Sequence, residues 1–264
     1  MIQVRKRPCA EQGIRCMEIL YKVSRIVRAL ASLVAPRFCV VCGEAVEATA
    51  LWPLCGRCAS AIRAEARASV APGVEHCSVC GKPIVSERGR CMRCRGVEFG
   101  FDSAWPLFRY AGMVRALLLA YKSGQRRSLA LFFAGVIAQA LQDRYPGRAV
   151  VPVPPRPGKL RRKGWDQVED LARILERRHG VIVWRILTRA DGKQQKALGL
   201  EDRADNMRMK IGVVRTRRGQ PCVVPADPVL LDDVLTTGAT LSECARTLKE
   251  AGSVRVDAVA IAAD

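Results

Sequence analysis

The chain has 264 residues, of which 49% are hydrophobic and 5% aromatic, and it carries a formal charge of +19. Its length allows a full core in one large domain, or in a large domain and a small one, and the composition is ordinary for an α/β protein. The basic excess favours a polyanionic partner, namely nucleic acid, an anionic membrane surface or a phosphate-rich small molecule, although it would also serve solubility alone.

The first predicted element is a basic amphipathic helix within an N-terminal segment, residues 1–36. Residues 19–34 are apolar at helical spacing, with Lys22, Arg25 and Arg28 among them. This run is too short and too charged to span a bilayer, and it lacks the unbroken apolar core of a signal peptide. We expect it to pack on the body of the protein or, alternatively, to lie on a membrane surface. The start of the protein could be Met1 or Met17.

A cysteine-rich segment follows, predicted to be a small module over residues 37–100. Eight of the twelve cysteines form four Cys-x-x-Cys pairs there. They make two quartets: Cys39, Cys42, Cys55 and Cys58, then Cys77, Cys80, Cys91 and Cys94. The glycines after Cys42, Cys55 and Cys80 suit the left-handed turn of a metal-binding knuckle.

These quartets predict one or two structural zinc sites, together a double zinc ribbon. Zinc prefers four soft thiolates in a tetrahedron, and a site without a vacant position is structural rather than catalytic. Alternatives are a redox dithiol pair, one functional and one degenerate site, or knuckles that pair in a crossed order. His76 is expected to be a bystander. Paired thiols in a chain without an export signal indicate a reducing cytoplasm.

Strands and helices alternate over residues 101–264, which we expect to form a separate domain. Strands are predicted at 101–110, 149–154, 181–187, 228–231 and 254–262, and helices at 113–124, 129–142, 166–180 and 240–252. Such alternation predicts an α/β fold with a mainly parallel sheet covered by helices. Ligands of such sheets lie at the carboxyl ends of the strands.

The segment PVLLDDVLTTGAT ends one predicted strand with two carboxylates and enters a helix through small and hydroxylated residues. Backbone N–H groups at a helix N-terminus favour an anion, and the threonine hydroxyls can donate further hydrogen bonds. Asp232 and Asp233 could accept hydrogen bonds from a vicinal diol. The two halves together predict a site for a sugar 5-phosphate. A capped helix after a polar turn would explain either half alone.

Residues 232–240 resemble the phosphoribosyl-pyrophosphate (PRPP) motif of type I phosphoribosyltransferases. That resemblance implies that Asp232 and Asp233 hold the ribose hydroxyls and carry catalysis. It also implies that the loop binds the 5-phosphate through Thr236, Thr237, Gly238, Ala239 and Thr240.

The chain from about Met17 onward resembles the ComF (competence protein F) family, which includes the similar GntX proteins. Pro152-Val153-Pro154 and the segment 161–167 (RRKGWDQ) resemble its PVP…RRRGFNQ pattern, with Lys163, Trp165 and Asp166 as departures. Other matching positions are Tyr121 to Gly124, and Gln195, Leu198, Arg203 and Asn206. Asp166 would bring a negative charge to the segment expected to face pyrophosphate.

The resemblance implies Mg²⁺ bound with PRPP and basic residues on the pyrophosphate side, namely Lys122, Arg161, Arg162 and Lys163, with Arg156 and Lys159 as weaker candidates. The stretch from Gln195 to Asn206 would be either a lid or a structural segment. Trp165, Trp105 and Phe108 could stack on a base or simply pack in the core. No segment specifies an acceptor.

The function that the resemblance implies is a phosphoribosyltransferase-domain protein of DNA uptake in natural competence, or of nucleotide salvage. The alternative is a non-catalytic or PRPP-sensing competence factor associated with single-stranded DNA. Another competence protein, or a membrane surface reached through the first helix, would be a further partner.

Overall fold

The computed structural model describes residues 37–47, 49–68, 73–123, 126–156, 158–189, 211–215 and 222–264. The chain divides into two compact units, one ending at Ala59 and the other beginning at Ser60. The predicted helix at 19–34 lies outside the described residues, and the predicted domain limits at residues 36 and 100 stay predictions. Within the described ranges, no helix combines the length and apolarity needed to cross a membrane.

The unit that ends at Ala59 contains the first cysteine quartet. A bridge between Phe38 and Ala45 closes its first knuckle, and Gly43 turns the chain with φ +73°. The glycine after Cys55 was predicted to make the same turn, and this prediction is wrong. Gly56 instead begins helix α1, Gly56–Ala68, because the chain continues from the second knuckle directly into helical hydrogen bonding.

The unit that begins at Ser60 is built on a four-stranded parallel sheet, which confirms the predicted α/β class. The sheet has the order β1-β6-β5-β2, and a separate antiparallel pair consists of β3 and β4. The strands are β1 Ser103–Arg109, β2 Val150–Pro152, β3 Leu187–Arg189, β4 Ile211–Val213, β5 Val229–Leu235 and β6 Asp257–Ala263. The further helices are α2 Gly112–Lys122, α3 Leu129–Arg144, α4 Lys159–Lys163, α5 Gln167–His179 and α6 Ala239–Glu250.

The core follows from the apolar patterns of these elements. All seven residues of β6 are buried, as expected for a central strand of a parallel sheet. Helix α3 buries eight residues and packs against the amphipathic α5. Helix α5 begins after Asp166, whose carboxylate accepts from two backbone N–H groups, and ends at Gly180 with φ +66°.

Both outer strands of the sheet are covered by other segments. Ala104 in β1 donates its N–H at 2.7 Å to the carbonyl of Val79, which belongs to residues 73–100, here called the second cysteine module. On the other side, Val150 in β2 exchanges hydrogen bonds with Ile182 and Trp184. Neither outer strand is therefore left as a continuous row of unpaired backbone groups.

Two predicted strands need correction. The apolar run 181–187 is not a strand of the sheet; within it only Val183 bridges to Val150, because β2 is three residues long and ends at Pro152. Its last residue, Leu187, begins β3, which pairs with β4 in a stretch where no strand was predicted. The strand predicted at 228–231 runs on to Leu235, so the carboxylates lie within β5 and not after it.

Candidate ligand site and metal centres

The acidic pair lies in the last half of β5, at the carboxyl end of the sheet. Asp233 Oδ2 accepts a hydrogen bond from Gln167 Nε2 at 3.1 Å, and Lys122 Nζ lies 3.3 Å from the same oxygen. Asp232 Oδ1 accepts from the backbone N–H of Asp233 at 2.8 Å. Strand β5 and the ends of helices α2 and α5 thus position a carboxylate pair with one cation beside it.

The protonation of Asp232 is unusual. Burial and the neighbouring charge of Asp233 raise its pKa to about 7, although the backbone N–H of Asp233 and the charge of Lys122 act in the opposite direction. A ligand that brings hydrogen-bond donors or a cation would favour the ionised form. This carboxyl group is therefore sensitive to what binds next to it.

The loop after β5 has the form expected of an anion-binding turn. Thr236 and Thr237 are exposed, and Gly238 takes φ +78° immediately before α6. A Cβ at Gly238 would lie 2.9 Å from Phe99 Cε1, so neither the conformation nor the space admits a side chain. Thr237 Oγ1 accepts from the N–H of Ala239 at 3.3 Å, and Thr240 lies in the first turn of α6. The acidic pair is thus followed, within a few residues of sequence, by two exposed threonines and a helix N-terminus.

The predicted pyrophosphate-side cations fall into two groups. Lys122 contacts the acidic pair, and Lys163 Nζ donates to the carbonyl of Lys122 at 3.3 Å. Arg161 and Arg162 are exposed on α4. The five-residue helix therefore presents a basic surface next to Lys122.

Asp166 does not contribute a free negative charge to this region. Its side chain is 2% exposed, forms an ion pair with Lys159 at 2.6 Å and caps helix α5. The same pair engages Lys159, one of the weaker candidates for pyrophosphate. The aspartate at this position is thus accommodated by a helix cap and a lysine.

The three aromatic candidates for base stacking are packing residues. Trp105, Phe108 and Trp165 are between 5% and 8% exposed. Trp165 contacts Tyr121, with ring centroids 5.4 Å apart, and Trp105 contacts His76 at 4.6 Å. The remaining predicted positions, Gln195, Leu198, Arg203 and Asn206, lie outside the described residues.

Two residues near the acidic pair were given no role by the sequence analysis. Gln167 is 5% exposed, and its Oε1 has no hydrogen-bond partner among the residues of the structure's described ranges. Arg189, in β3, is buried enough to lower its pKa, which Arg156 lowers further and the nearby Asp232 raises. Gln167 entered the sequence analysis only as the last residue of the segment 161–167. Arg189 lies at the start of a polar stretch for which the sequence predicts neither a structure nor a function.

The eight cysteines form the two groups expected from consecutive knuckles, and not crossed ones. In each quartet the four sulfur atoms lie within 4.8 Å of one another. Cys42 and Cys55 have their sulfurs 3.7 Å apart, as do Cys80 and Cys91. A tetrahedral zinc site with bonds of about 2.3 Å places its sulfurs about 3.8 Å apart. Both quartets therefore fit Zn²⁺, and His76 is not part of either group.

The first thiol of each quartet is prepared for ligation. Burial raises the pKa of Cys39, but hydrogen bonds from backbone N–H groups of the knuckle turns outweigh it and lower the pKa to about 6. The same opposing effects lower the pKa of Cys77 to about 6. The thiolate is the form that binds metal, so each quartet offers one ligand already ionised near neutral pH.

The quartets differ in their surroundings. In the first, Cys42 is exposed and Cys55 partly exposed, whereas all four cysteines of the second are buried. The second quartet belongs to a hydrophobic cluster that includes Phe101, Leu235 and Cys244. The second cysteine module, residues 73–100, is therefore built into the core around the candidate ligand site.

No protein-family model matches the chain, but two curated proteins are similar to it. Competence protein F from Haemophilus influenzae is 26% identical over 188 residues, which cover 67% of this chain and 80% of that protein. Competence protein ComFC from Streptococcus pneumoniae is 24% identical over 186 residues, which cover 69% of this chain and 77% of that protein. These relatives confirm the predicted resemblance, over a shorter stretch than the one expected from Met17 onward.

Proposed function

We propose that this protein binds PRPP together with Mg²⁺ and acts as a phosphoribosyltransferase-domain protein linked to competence or nucleotide salvage. The observation that carries the proposal is the acidic pair of β5, which leads directly into an exposed threonine loop at the N-terminus of α6. Asp232 and Asp233 would accept hydrogen bonds from the ribose hydroxyls, and the loop would bind the 5-phosphate. The similarity to two competence proteins supports the biological context.

The chemistry would need little covalent participation by the protein. An acceptor nucleophile forms a bond to the anomeric carbon of the ribose, the bond from that carbon to oxygen breaks, and pyrophosphate leaves with the electron pair. Lys122 and the exposed cations Arg161, Arg162 and Lys163 would stabilise the leaving charge. Bound Mg²⁺ would neutralise further pyrophosphate charge. The protein's own contribution is to hold the ribose and orient it.

A calorimetric titration of the purified chain with PRPP, with and without Mg²⁺, tests binding. Replacing both carboxylates, Asp232→Asn with Asp233→Asn, should weaken binding by about 100-fold or more, since each lost charged hydrogen bond is worth about 1.5–3 kcal/mol. Asp143→Asn, an exposed carboxylate on α3, is the matched control and should bind like the parent chain. Equal affinity in the double variant and the control would refute the proposed site.

Catalysis and sensing are separated by a second measurement. Pyrophosphate released from PRPP on addition of a panel of nucleobases would identify a transferase and its acceptor class. PRPP binding without release for any base would favour the sensing role.

A second candidate function, association with single-stranded DNA, is favoured by the surface of the second cysteine module. Two apolar side chains of this module are exposed, Val85 at 101% and Met92 at 77%. Three nearby arginines in the sequence are exposed as well: Arg88, Arg90 and Arg95. Cationic and apolar side chains together suit phosphates and bases.

The DNA candidate predicts a strong dependence on salt. Each phosphate contact with a single strand contributes about −0.7 to the slope of log K against log salt. Changing the three arginines to alanine should therefore flatten the slope by about 2, whereas Arg177→Ala with Arg178→Ala on α5 should leave it unchanged. Fluorescence anisotropy with a labelled oligonucleotide measures both, and a flat response of the parent chain would count against DNA binding. Membrane association through residues 19–34 stays a prediction.

A further inference from the structure

We infer that Arg93, on the second cysteine module, is a positioning residue for the phosphate loop, so that metal bound in the second quartet supports ligand binding without touching the ligand. The inference rests on the proposed PRPP site. Arg93, Thr236 and Asp264 are far apart in sequence and meet at the carboxyl end of the sheet.

The Arg93 guanidinium joins the ends of two strands. Its Nη2 donates to the carbonyl of Thr236, the first loop residue after β5, at 2.5 Å. Its Nη1 donates to the main-chain oxygen of Asp264, just after β6, at 3.1 Å. Asp264 in turn donates its N–H to Leu235 at 3.1 Å. One planar cation thus fixes two backbone oxygens, one at the start of the loop and one just after β6.

Fixing the Thr236 carbonyl also fixes the next amide. The peptide between Thr236 and Thr237 is planar and trans, so its N–H points away from its carbonyl oxygen. A carbonyl held toward Arg93 directs the Thr237 N–H to the opposite side of the loop. Backbone N–H groups are the donors on which a phosphate site depends, and Arg93 sets the direction of one of them, that of Thr237.

The position of Arg93 is set by the second quartet. It lies in the short 3-10 turn Met92–Cys94, between two of the ligands, and Cys94 donates its N–H to the carbonyl of Cys91 at 2.9 Å. A metal that joins these two sulfurs to those of Cys77 and Cys80 would hold the turn closed. Lys82, between the two knuckles of this module, also donates a hydrogen bond from its Nζ to the main-chain oxygen of Asp264.

A second contact between the module and the loop does not involve Arg93. At the end of the module, the Phe99 ring lies where a Cβ added at Gly238 would be 2.9 Å from Cε1, and Gly100 donates its N–H to Ser242 Oγ in α6 at 2.7 Å. Phe99 stacks on Phe101, with ring centroids 4.9 Å apart. The module therefore supports both ends of the loop, at Thr236 and at Gly238.

The first experiment compares Arg93→Ala with Arg178→Ala, an exposed arginine near the end of α5. Arg93→Ala should weaken PRPP·Mg²⁺ binding about tenfold in calorimetry, while its zinc content stays equal to that of the parent chain. Amides of residues 236–240 should exchange hydrogen faster in Arg93→Ala than in Arg178→Ala. Arg93→Lys should restore only part of the affinity. Its ammonium keeps the positive charge, but it cannot match the planar guanidinium that binds two oxygens. Unchanged affinity and exchange in Arg93→Ala would overturn the inference.

The second experiment removes metal ligands from one quartet at a time. Cys91→Ser with Cys94→Ser should lower PRPP affinity, whereas Cys39→Ser with Cys42→Ser, in the unit that ends at Ala59, should not. Equal effects of the two pairs would contradict a specific role of the second quartet. If the parent chain does not bind PRPP, the proposed function fails, and the loop's hydrogen exchange still decides whether Arg93 holds it.

Discussion

Asp232 and Asp233 are adjacent carboxylates in a strand whose preceding residues are wholly buried. This arrangement lowers the stability of the unliganded protein when both carboxylates are ionised. Mutual repulsion and burial oppose ionisation of Asp232. The same arrangement makes the pair responsive to a ligand that supplies hydrogen-bond donors. At the scale of single residues, an ionised acidic pair is therefore unfavourable in the unliganded protein.

This predicts a stability effect of Asp232→Asn that depends on pH. The pKa of Asp232 is raised from 3.8 to about 7 on folding. Its contribution to the free energy of unfolding is thus fully present below pH 3.8 and is lost as the pH rises through 7. The neutral amide avoids this loss. The free energy of unfolding of the variant, relative to that of the parent chain, should therefore rise by about 1 kcal/mol or more when the pH is raised from 5 to 8.

Chemical denaturation at the two pH values measures that gain. Asp143→Asn should show no change with pH relative to the parent chain. A gain for Asp232→Asn that is equal at pH 5 and pH 8 would mean that this carboxyl titrates normally.

Among the elements, helix α5 shows how one residue serves both a helix and the site. Asp166 caps its N-terminus through Val168 and Glu169 and holds Lys159 of α4. The next residue, Gln167, contacts Asp233. We therefore expect a change in the cap to alter the geometry of the acidic pair as well as the helix.

Replacing the cap tests this dual role. Asp166→Ala should lower the free energy of unfolding by about 1–2 kcal/mol through loss of the cap, with a further loss from the buried Lys159 ion pair. Asp166→Asn keeps a capping oxygen, so it should lose less than the alanine variant. Urea denaturation of both variants measures the difference, and equal losses would assign the effect to the ion pair and not to the cap.

The elements also show where sequence patterns suffice. Helices α3 and α5 and strand β6 were predicted within a few residues, because periodicity, caps and apolar runs are local signals. Strand β4 and the true end of the 181–187 run depend on pairing partners, which no local pattern contains. The same division holds for the site. Asp232 to Thr240 form one contiguous motif, whereas the contacts of Gln167 and Arg93 bridge 66 and 143 positions of sequence.

At the scale of the whole molecule, the two quartets predict a metal stoichiometry and an order of loss. Elemental analysis of the purified chain should return two zinc ions. A chelator should remove the first ion from the quartet with exposed Cys42 and the second from the wholly buried quartet. Only the second loss should lower the melting temperature of the unit that begins at Ser60, since the second module belongs to its core. Simultaneous loss of both ions would contradict this order.

The contact between Val79 and Ala104 has a consequence for the behaviour of the protein in concentrated solution. An uncovered outer strand can pair with a strand of another molecule and start aggregation. Here β1 is protected by Val79 at one position and by Pro106, which has no N–H to offer, at another. Gly81 lets the module approach, since a Cβ there would lie 2.3 Å from the carbonyl of Ala104. A chain stripped of the second metal should therefore scatter light and bind thioflavin T sooner than a chain stripped only of the first.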